Sequence, residues 1–319
     1  MSSCSPGRRL PLRASLTTLA AALALVACGG STSQVETFVA ERVFAFGDDA
    51  SAITADGRKY GVNGINTETS AIDCRVQPNW VQVITAYYGL ALAQCNLDST
   101  LTPRAFTLAT EGARVAEVAA QIEAQVAAGG FRDKDLALFF VGMNDVLELY
   151  RQFPNRSEAD LLAEARLRGE RAASLVNRLI DLGAKVVLVN LPDMGMSPYA
   201  RAEAATHAAS GFDRAAFITR LTTAFNERLG VRIRIDGRFV GLAQLDLRTQ
   251  QARIAPGAFG FSNVSEPVCT AALPDCTTAT LVEGADPGTW LWADTTRLGG
   301  GGQNALTQLA LQRAQLNPF

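Results

Sequence analysis

The sequence predicts a three-layer α/β fold, in which helices cover both faces of a parallel β-sheet of about five strands. Short apolar runs, such as Val43–Phe46 and Leu136–Val141, alternate with longer stretches of helical periodicity. Strands that are apolar throughout and separated by helices are typical of parallel sheets buried on both faces. The length of 319 residues suits one large domain, which we expect to occupy residues 36–319.

Most of the chain can be assigned to strands and helices in order. Val115, Val118 and Ile122 fall on one helical face, and the pair Ser157 and Asp160 resembles a capping box at the start of the longest helix. The predicted strands are Val43–Phe46, Arg104–Ala109, Leu136–Val141 and Lys185–Val189; the predicted helices are Trp80–Leu90, Val115–Val126, Ser157–Leu182, Ala215–Leu229 and Gln303–Arg313. Two polar, turn-rich segments, Ala50–Asn79 and Arg238–Thr280, are predicted to be insertions in the same domain.

Residues 1–27 are predicted to be a bacterial lipoprotein signal peptide. Three arginines precede an apolar stretch, Leu16–Ala27, that is too short to remain as a membrane-spanning helix. The following Cys28 completes a Leu-Val-Ala-Cys lipobox, in which the cysteine is acylated, although an ordinary secretory signal is the alternative. Residues 28–35 would then form a flexible tether. We expect a protein of the bacterial cell envelope, attached to the membrane by its lipid alone and facing the periplasm or the exterior.

Four cysteines remain after export and lipidation, namely Cys74, Cys95, Cys269 and Cys276. An even number of cysteines in an exported protein indicates two disulfides. Three pairings are possible, and proximity in the sequence favours Cys74 with Cys95 and Cys269 with Cys276. The spacing does not match a zinc site.

Charge and composition exclude some classes of function. A formal net charge of −2 gives no electrostatic basis for binding nucleic acid. The glycine run Gly299–Gly302 lacks the Lys-Ser/Thr pair of a phosphate-binding loop, so it is predicted to be a flexible approach to the last helix. No cofactor is predicted.

Polar segments follow three of the predicted strands, and another precedes the last helix. They are Gly47–Asp49, Gly112–Arg114, Gly142–Asp145 and Trp292–Arg297. Functional sites of parallel α/β sheets form beyond the carboxyl ends of the strands. We therefore expect these segments to meet in one site.

The four segments resemble, in order and residue type, the four sequence blocks of the GDSL, or SGNH, hydrolases. The chain is identified as a divergent member of that family, and the resemblance extends over most of residues 42–310. Family members are α/β esterases, lipases, thioesterases and carbohydrate deacetylases. The resemblance implies an ester or acyl hydrolase whose ligand is an acyl ester or an acylated carbohydrate.

The resemblance assigns roles to five positions, two of which carry an unexpected residue. Gly112 matches the glycine, and Asn144 the asparagine, that donate hydrogen bonds to the oxyanion. Asp294 matches the aspartate that orients the catalytic histidine. Asp49, however, stands at the position of the nucleophilic serine, and Arg297 stands at the position of the histidine.

These two replacements predict a catalytically impaired protein. Arginine stays protonated and cannot act as a base. The negative charge of Asp49 opposes the stabilisation that the oxyanion donors would give. Together the replacements are compatible, because Arg297 can lie between Asp49 and Asp294 and pair with both. Some family members have a second histidine six residues later, where this chain has Gln303. We expect ligand binding in the cleft without hydrolysis; the alternative is an active hydrolase that uses other groups.

Ser51 and His207 are the alternative candidates for a nucleophile and a base. Ser51 lies two residues after Asp49, where capping of the following turn is the simpler interpretation. His207 is the single histidine of the chain, and its small neighbours favour a surface or helix-end position. The acidic residues of the four segments and Asn144 carry oxygen ligands suited to Ca²⁺ or Mg²⁺. Their spacing matches no EF-hand loop and Arg297 offsets their charge, so no metal site is predicted.

Overall fold

The computed structural model describes residues 37–97, 99 and 101–319. The predicted signal peptide, the tether at 28–35 and the lipidated Cys28 lie outside these residues and stay predictions. Among the described residues, no helix has the length and apolar character needed to span a bilayer.

A five-stranded parallel sheet forms the centre of the described structure, which confirms the predicted fold class. Its strands are β1 (Arg42–Gly47), β2 (Ala105–Thr107), β3 (Asp135–Phe140), β4 (Lys185–Val189) and β5 (Val240–Ala243), in the spatial order β2-β1-β3-β4-β5. Strand β1 lies between β2 and β3, with Val43 opposite both Ala105 of β2 and Leu136 of β3. The β1 and β3 side chains are almost all buried, as expected for strands covered on both faces.

Eight helices surround this sheet within the described residues. They are α1 (Trp80–Tyr87), α2 (Val115–Ala127), α3 (Met143–Arg151), α4 (Glu158–Asp181), α5 (Pro198–Thr206), α6 (Arg214–Arg232), α7 (Leu245–Ile254) and α8 (Gly300–Leu316). Helix α1 packs on α8, whereas α2 and α6 both pack on α4. Ser157 caps α4 as predicted, because its Oγ accepts the N–H of Asp160 at 3.2 Å. The sheet and its helices share one continuous apolar core.

The two predicted disulfides are present, Cys74–Cys95 and Cys269–Cys276. The two turn-rich segments that contain cysteines also contact each other. The Nδ2 group of Asn63 donates to the carbonyl oxygens of Pro274 at 2.8 Å and Cys276 at 3.1 Å. A short parallel pair, β6 (Asn263–Pro267) and β7 (Trp290–Trp292), flanks the Cys269–Cys276 disulfide in the chain, and β7 leads to α8.

Two predictions about segments were wrong. The segment Arg238–Thr280 is not wholly an insertion, because its first part supplies the edge strand β5 and the helix α7. The run Gly299–Gly302 is not a flexible approach, because α8 already begins at Gly300. A Cβ atom at Gly302 would lie 2.5 Å from the carbonyl oxygen of Leu291, so these glycines allow the helix to start directly against the backbone of β7.

Candidate active site

The turn after β1 places two aspartates at the carboxyl edge of the sheet. Gly47 has a φ of +147°, and a Cβ there would lie 1.9 Å from the carbonyl oxygen of Phe140. Only glycine fits this backbone. The side chain of Gln121 fixes the turn from α2, since its Oε1 accepts the N–H of Gly47 and its Nε2 donates to the Gly47 carbonyl, both at 2.9 Å. Asp48 and Asp49 follow directly.

The carboxylate of Asp49 is bound by both predicted oxyanion donors. Its Oδ2 accepts the backbone N–H of Gly112 at 3.1 Å and the Nδ2 group of Asn144 at 2.8 Å. Asn144 lies in the first turn of α3, whose start is allowed by Gly142 at a φ of +128°. Asp49 is only 3% exposed. One oxygen of this carboxylate therefore takes both hydrogen bonds that the family motif reserves for the oxyanion.

Arg297 binds the other oxygen of Asp49 and two further carboxylates. Its Nε donates to Asp49 Oδ1 at 2.7 Å, and its Nη1 donates to Asp294 Oδ2 at 3.0 Å. Its Nη2 donates to Glu111 Oε1 at 3.2 Å. Burial disfavours the charge of Arg297, but the negative charge of Asp49 and the hydrogen bonds outweigh burial, and the pKa of Arg297 is raised. The contacts of Arg297 with Asp49 and Asp294 are those that the sequence predicted, whereas Glu111 was not predicted.

The remaining contacts of this Asp49–Arg297–Asp294 cluster hold its arginine in place. Asp294 Oδ1 accepts the backbone N–H groups of Thr296 at 2.8 Å and Arg297 at 2.7 Å. The guanidinium carbon of Arg297 lies 5.6 Å from the centre of the Tyr60 ring, within range of a cation–π interaction. Burial, together with the nearby Glu111, raises the pKa of Tyr60 to about 12. Three further segments, at Tyr60, Glu111–Gly112 and Asn144, thus contact the cluster.

Two neighbouring aspartates are also buried. Burial and the charge of Asp49 raise the pKa of Asp48 well above its usual range, which favours a neutral carboxyl. Asp145 accepts the N–H of Val115 at 3.0 Å and a bond from Arg168 at 3.2 Å, and burial raises its pKa to about 6. The described part of the chain has no group of three or more acidic, histidine or cysteine side chains placed to hold a metal ion.

The structure does not bring Ser51 and His207 together as a nucleophile and its base. Ser51 is fully buried, and its Oγ accepts the indole N–H of Trp80 at 3.0 Å. His207 ends α5, where its half-exposed side chain lies 3.6 Å from Glu203. Gln303 is also structural, because its side chain binds the Ala50 carbonyl at 3.0 Å and the Trp80 N–H at 3.1 Å.

A small cavity of about 50 Å³ lies beside Asp49. Lys59, Tyr60, Asn79 and Gln303 contribute to its walls. Lys59 is almost fully buried and donates from Nζ to the carbonyl oxygens of Cys74 at 2.9 Å and Val76 at 3.2 Å. Burial lowers the pKa of Lys59 to about 8. A water molecule needs roughly 10–15 Å³ of such space, so this cavity holds about three or four.

The sequence matches the family of GDSL-like lipases/acylhydrolases over residues 43–280. The chain belongs to this family. The match includes Asp49, Gly112 and Asn144, and it ends before Asp294 and Arg297. The family is one of acylhydrolases and esterases.

Several solved structures are similar to this GDSL-family chain. The acetyl xylan esterase AlAXEase is 11% identical, with 85% of this chain and 98% of that chain covered and a TM-score of 0.45. The lipase Lip_vut3 from a goat rumen metagenome is 13% identical, with 86% and 96% covered and a TM-score of 0.47. The lipase/acylhydrolase from Enterococcus faecalis is 13% identical, with 88% and 98% covered and a TM-score of 0.41. No curated protein sequence matches this chain.

Proposed function

We propose that this protein is a non-hydrolytic member of the GDSL family that binds an acylated ligand, such as an acetylated carbohydrate, without cleaving it. One observation carries the proposal. Asp49 Oδ2 accepts the N–H of Gly112 and the amide of Asn144, the two groups that would otherwise stabilise a developing oxyanion. In this proposal, the Asp49 side chain of the protein itself occupies the position that the oxyanion would take.

The same contacts remove the other requirements for ester hydrolysis. A serine nucleophile needs a neighbouring base to take its proton. Asp49 carries a carboxylate in place of a hydroxyl, and Arg297, which pairs with it at 2.7 Å, cannot accept a proton. Attack by the carboxylate would require it to break its bonds to Arg297, Gly112 and Asn144. The ester carbonyl would then also lack oxyanion donors.

The size of the adjacent cavity limits the ligand. A space of about 50 Å³ admits a group such as acetyl, whereas a long acyl chain would have to remain outside it. Tyr60 lines this space and offers a hydroxyl group to the carbonyl of an acetyl ester. This argument favours an acetylated carbohydrate over a long-chain lipid. With the predicted lipobox, the proposed setting is the bacterial cell envelope, with the protein anchored by its lipid.

Esterase assays on paired variants test the loss of hydrolysis. Wild-type protein should hydrolyse p-nitrophenyl acetate no faster than buffer does. The double variant Asp49→Ser/Arg297→His restores both motif residues and should gain about 10²–10⁴-fold, the usual contribution of a positioned general base. The single variants are the matched controls and should stay at background. Activity in the wild type that the double variant does not exceed would overturn the proposal.

Calorimetric titration tests ligand binding separately. An acetylated xylo-oligosaccharide should release heat on binding to the wild-type protein, and its deacetylated form should bind at least about tenfold more weakly, since the loss of one buried hydrogen-bonded group costs roughly 1–3 kcal/mol. Equal binding of the two forms would show that the acetyl group is not recognised.

A second candidate, ester hydrolysis by other groups, is favoured by Lys59. This lysine lines the same cavity as Asp49. Because its pKa is lowered to about 8, a fraction of the protein molecules carries Lys59 as a neutral amine near physiological pH, and a neutral amine can act as a base. Hydrolysis by the wild type that disappears in Lys59→Met, while Arg297→His retains it, would support this candidate over the first.

A further inference from the structure

A second cavity, of about 410 Å³, lies at the carboxyl ends of β4 and β5. Helices α6 and α7 form its walls, and residues that follow β4 form its floor. We call it the β4/β5 cavity; its polar lining includes Asn190, Asp193, Thr222, Glu227, Asp246 and Gln250. None of its lining residues lines the cavity beside Asp49.

Two buried side chains on the floor each present a polar atom without a partner. Asn190 and Asp193 are both only 6% exposed. Asp193 Oδ1 accepts the N–H of Gly195 at 3.0 Å and the hydroxyl of Thr219 at 2.8 Å, but its Oδ2 accepts no hydrogen bond from any described residue.

Asn190 shows the complementary pattern. Its Oδ1 accepts the N–H of Asp246 at 3.2 Å, whereas its Nδ2 donates to no described residue. Neither Asn190 Nδ2 nor Asp193 Oδ2 is sealed inside the protein, and both residues line the β4/β5 cavity. Buried polar groups are almost always hydrogen-bonded. One ligand that carries both a donor and an acceptor can therefore satisfy the free acceptor and the free donor that open on this cavity.

The charge of the cavity selects the kind of ligand. Asp193, Glu227 and Asp246 line it, and no lysine or arginine does so. Burial raises the pKa of Asp193, while Arg253, outside the lining, acts in the opposite direction. An uncompensated acidic cleft attracts cations.

We propose that the β4/β5 cavity binds a small hydroxylated organic cation, of the kind represented by an amino sugar with a free ammonium group. The ammonium donates to Asp193 Oδ2, and a ring hydroxyl accepts from Asn190 Nδ2. The apolar side chains of Val231, Leu242 and Leu247, which also line the cavity, pack against the carbon-bound hydrogens of the ring. The volume falls in the usual range for small-molecule sites, roughly 300–1,000 Å³.

Calorimetric titration of the full chain with three sugars tests this assignment. D-glucosamine carries the ammonium, N-acetyl-D-glucosamine replaces it by a neutral amide, and D-glucose replaces it by a hydroxyl. Glucosamine should bind at least about tenfold more tightly than the other two, because a hydrogen bond between charged groups contributes roughly 1.5–3 kcal/mol. Equal affinities, or no heat with glucosamine, would overturn the proposal.

Variants locate the binding. Asp193→Asn keeps the Oδ1 acceptor and the shape of the side chain, yet should weaken glucosamine binding about tenfold through the loss of the charge. Asp133→Asn makes the same charge change at an exposed position and should leave binding unaltered. Glu227→Gln, on the exposed rim, should weaken binding about two- to threefold and remains informative if Asp193→Asn fails to fold. Unchanged affinity in both cavity variants would place any glucosamine binding elsewhere.

Discussion

The carboxyl edge of the sheet carries two buried carboxylates that differ in how their charge is satisfied. Asp49, beyond β1, has hydrogen-bond partners on both oxygens, and the cavity beside it measures about 50 Å³. Asp193, beyond β4, has partners on one oxygen only, and its cavity measures about 410 Å³. Both residues are more than nine-tenths buried. The buried fraction of a carboxylate therefore does not show whether a ligand can reach it. The number of its oxygens that are hydrogen-bonded within the protein does distinguish the two sites.

This difference has an energetic meaning. Removal of a charge from water is costly unless another charge and further hydrogen bonds compensate for it. Arg297, Gly112 and Asn144 compensate Asp49 within the chain, so no ligand is needed there. Asp193 has no cation within hydrogen-bonding distance among the described residues, so a ligand that brings one would gain binding energy.

The largest effect on stability should come from Arg297→Ala. Loss of this arginine leaves Asp49 buried and charged without a partner cation, and we expect the free energy of unfolding to fall by about 3 kcal/mol, the lower end for a broken buried pair because Arg297 is partly exposed. Denaturant unfolding measures this change. Arg178→Ala removes an exposed arginine that pairs with Glu123 at 2.7 Å and should cost less than about 1 kcal/mol. Equal losses in the two variants would show that the cluster does not stabilise the fold.

Asparagine substitutions should separate the two carboxylates directly. In Asp49→Asn, either orientation of the amide turns its NH₂ toward a donor, so we expect a loss of about 2 kcal/mol. In Asp193→Asn, the oxygen can keep the bonds from Gly195 and Thr219 while the NH₂ faces the open cavity, so stability should change by less than about 0.5 kcal/mol. Chemical denaturation of both variants provides the measurement, and a loss in Asp193→Asn as large as that in Asp49→Asn would remove the distinction.

The contribution of a third buried carboxyl group, that of Asp145, to the free energy of unfolding should depend on pH. Its pKa in the folded protein is raised to about 6 by burial, above its usual value near 4 in the unfolded chain. Between these values the folded protein binds a proton that the unfolded chain has released, so stability contributed by Asp145 should increase as the pH falls from about 6 to about 4. The free energy of unfolding of the wild type relative to Asp145→Asn should rise over this range, by at most about 1.4 kcal/mol per pH unit.

The control for this pH dependence is Asp133→Asn, which removes an exposed carboxylate and should give a flat difference over the same range. A wild-type advantage over Asp145→Asn that shrinks toward pH 4 would mean that Arg168 keeps Asp145 ionised.

Much of the first site could be predicted from local sequence. Gly112 and Asn144 stand in motifs at strand ends, and the opposite charges of Asp49 and Arg297, in segments expected to meet in one site, predicted their contact. Glu111 was not predicted, because nothing in its neighbourhood signals that the loop after β2 lies beside the segment before α8. The same holds for Lys59, whose burial depends on carbonyl groups of the following turn.

No local sequence motif predicted the β4/β5 cavity or two parts of the fold. Helix α7 carries few apolar residues at helical spacing, so its segment was interpreted as an insertion. The glycines at the start of α8 were interpreted as flexible, since the close approach of Leu291 cannot be seen from composition. Asn190 and Asp193 follow a strand, but which of their atoms stay without a partner depends on α6 and α7.

The sequence by itself predicted the parallel sheet, identified the family and favoured the observed pairing of the cysteines, and it places opposite charges at positions 49 and 297. These follow from periodicity, motif order and residue chemistry, all of which are local properties. The tertiary structure alone decided that Asp49 accepts hydrogen bonds from Gly112 and Asn144, that the space beside it is small and that Asp193 faces an open cavity. Those outcomes depend on distances between segments far apart in the chain, because partners and free volume are set only when the helices pack against the sheet.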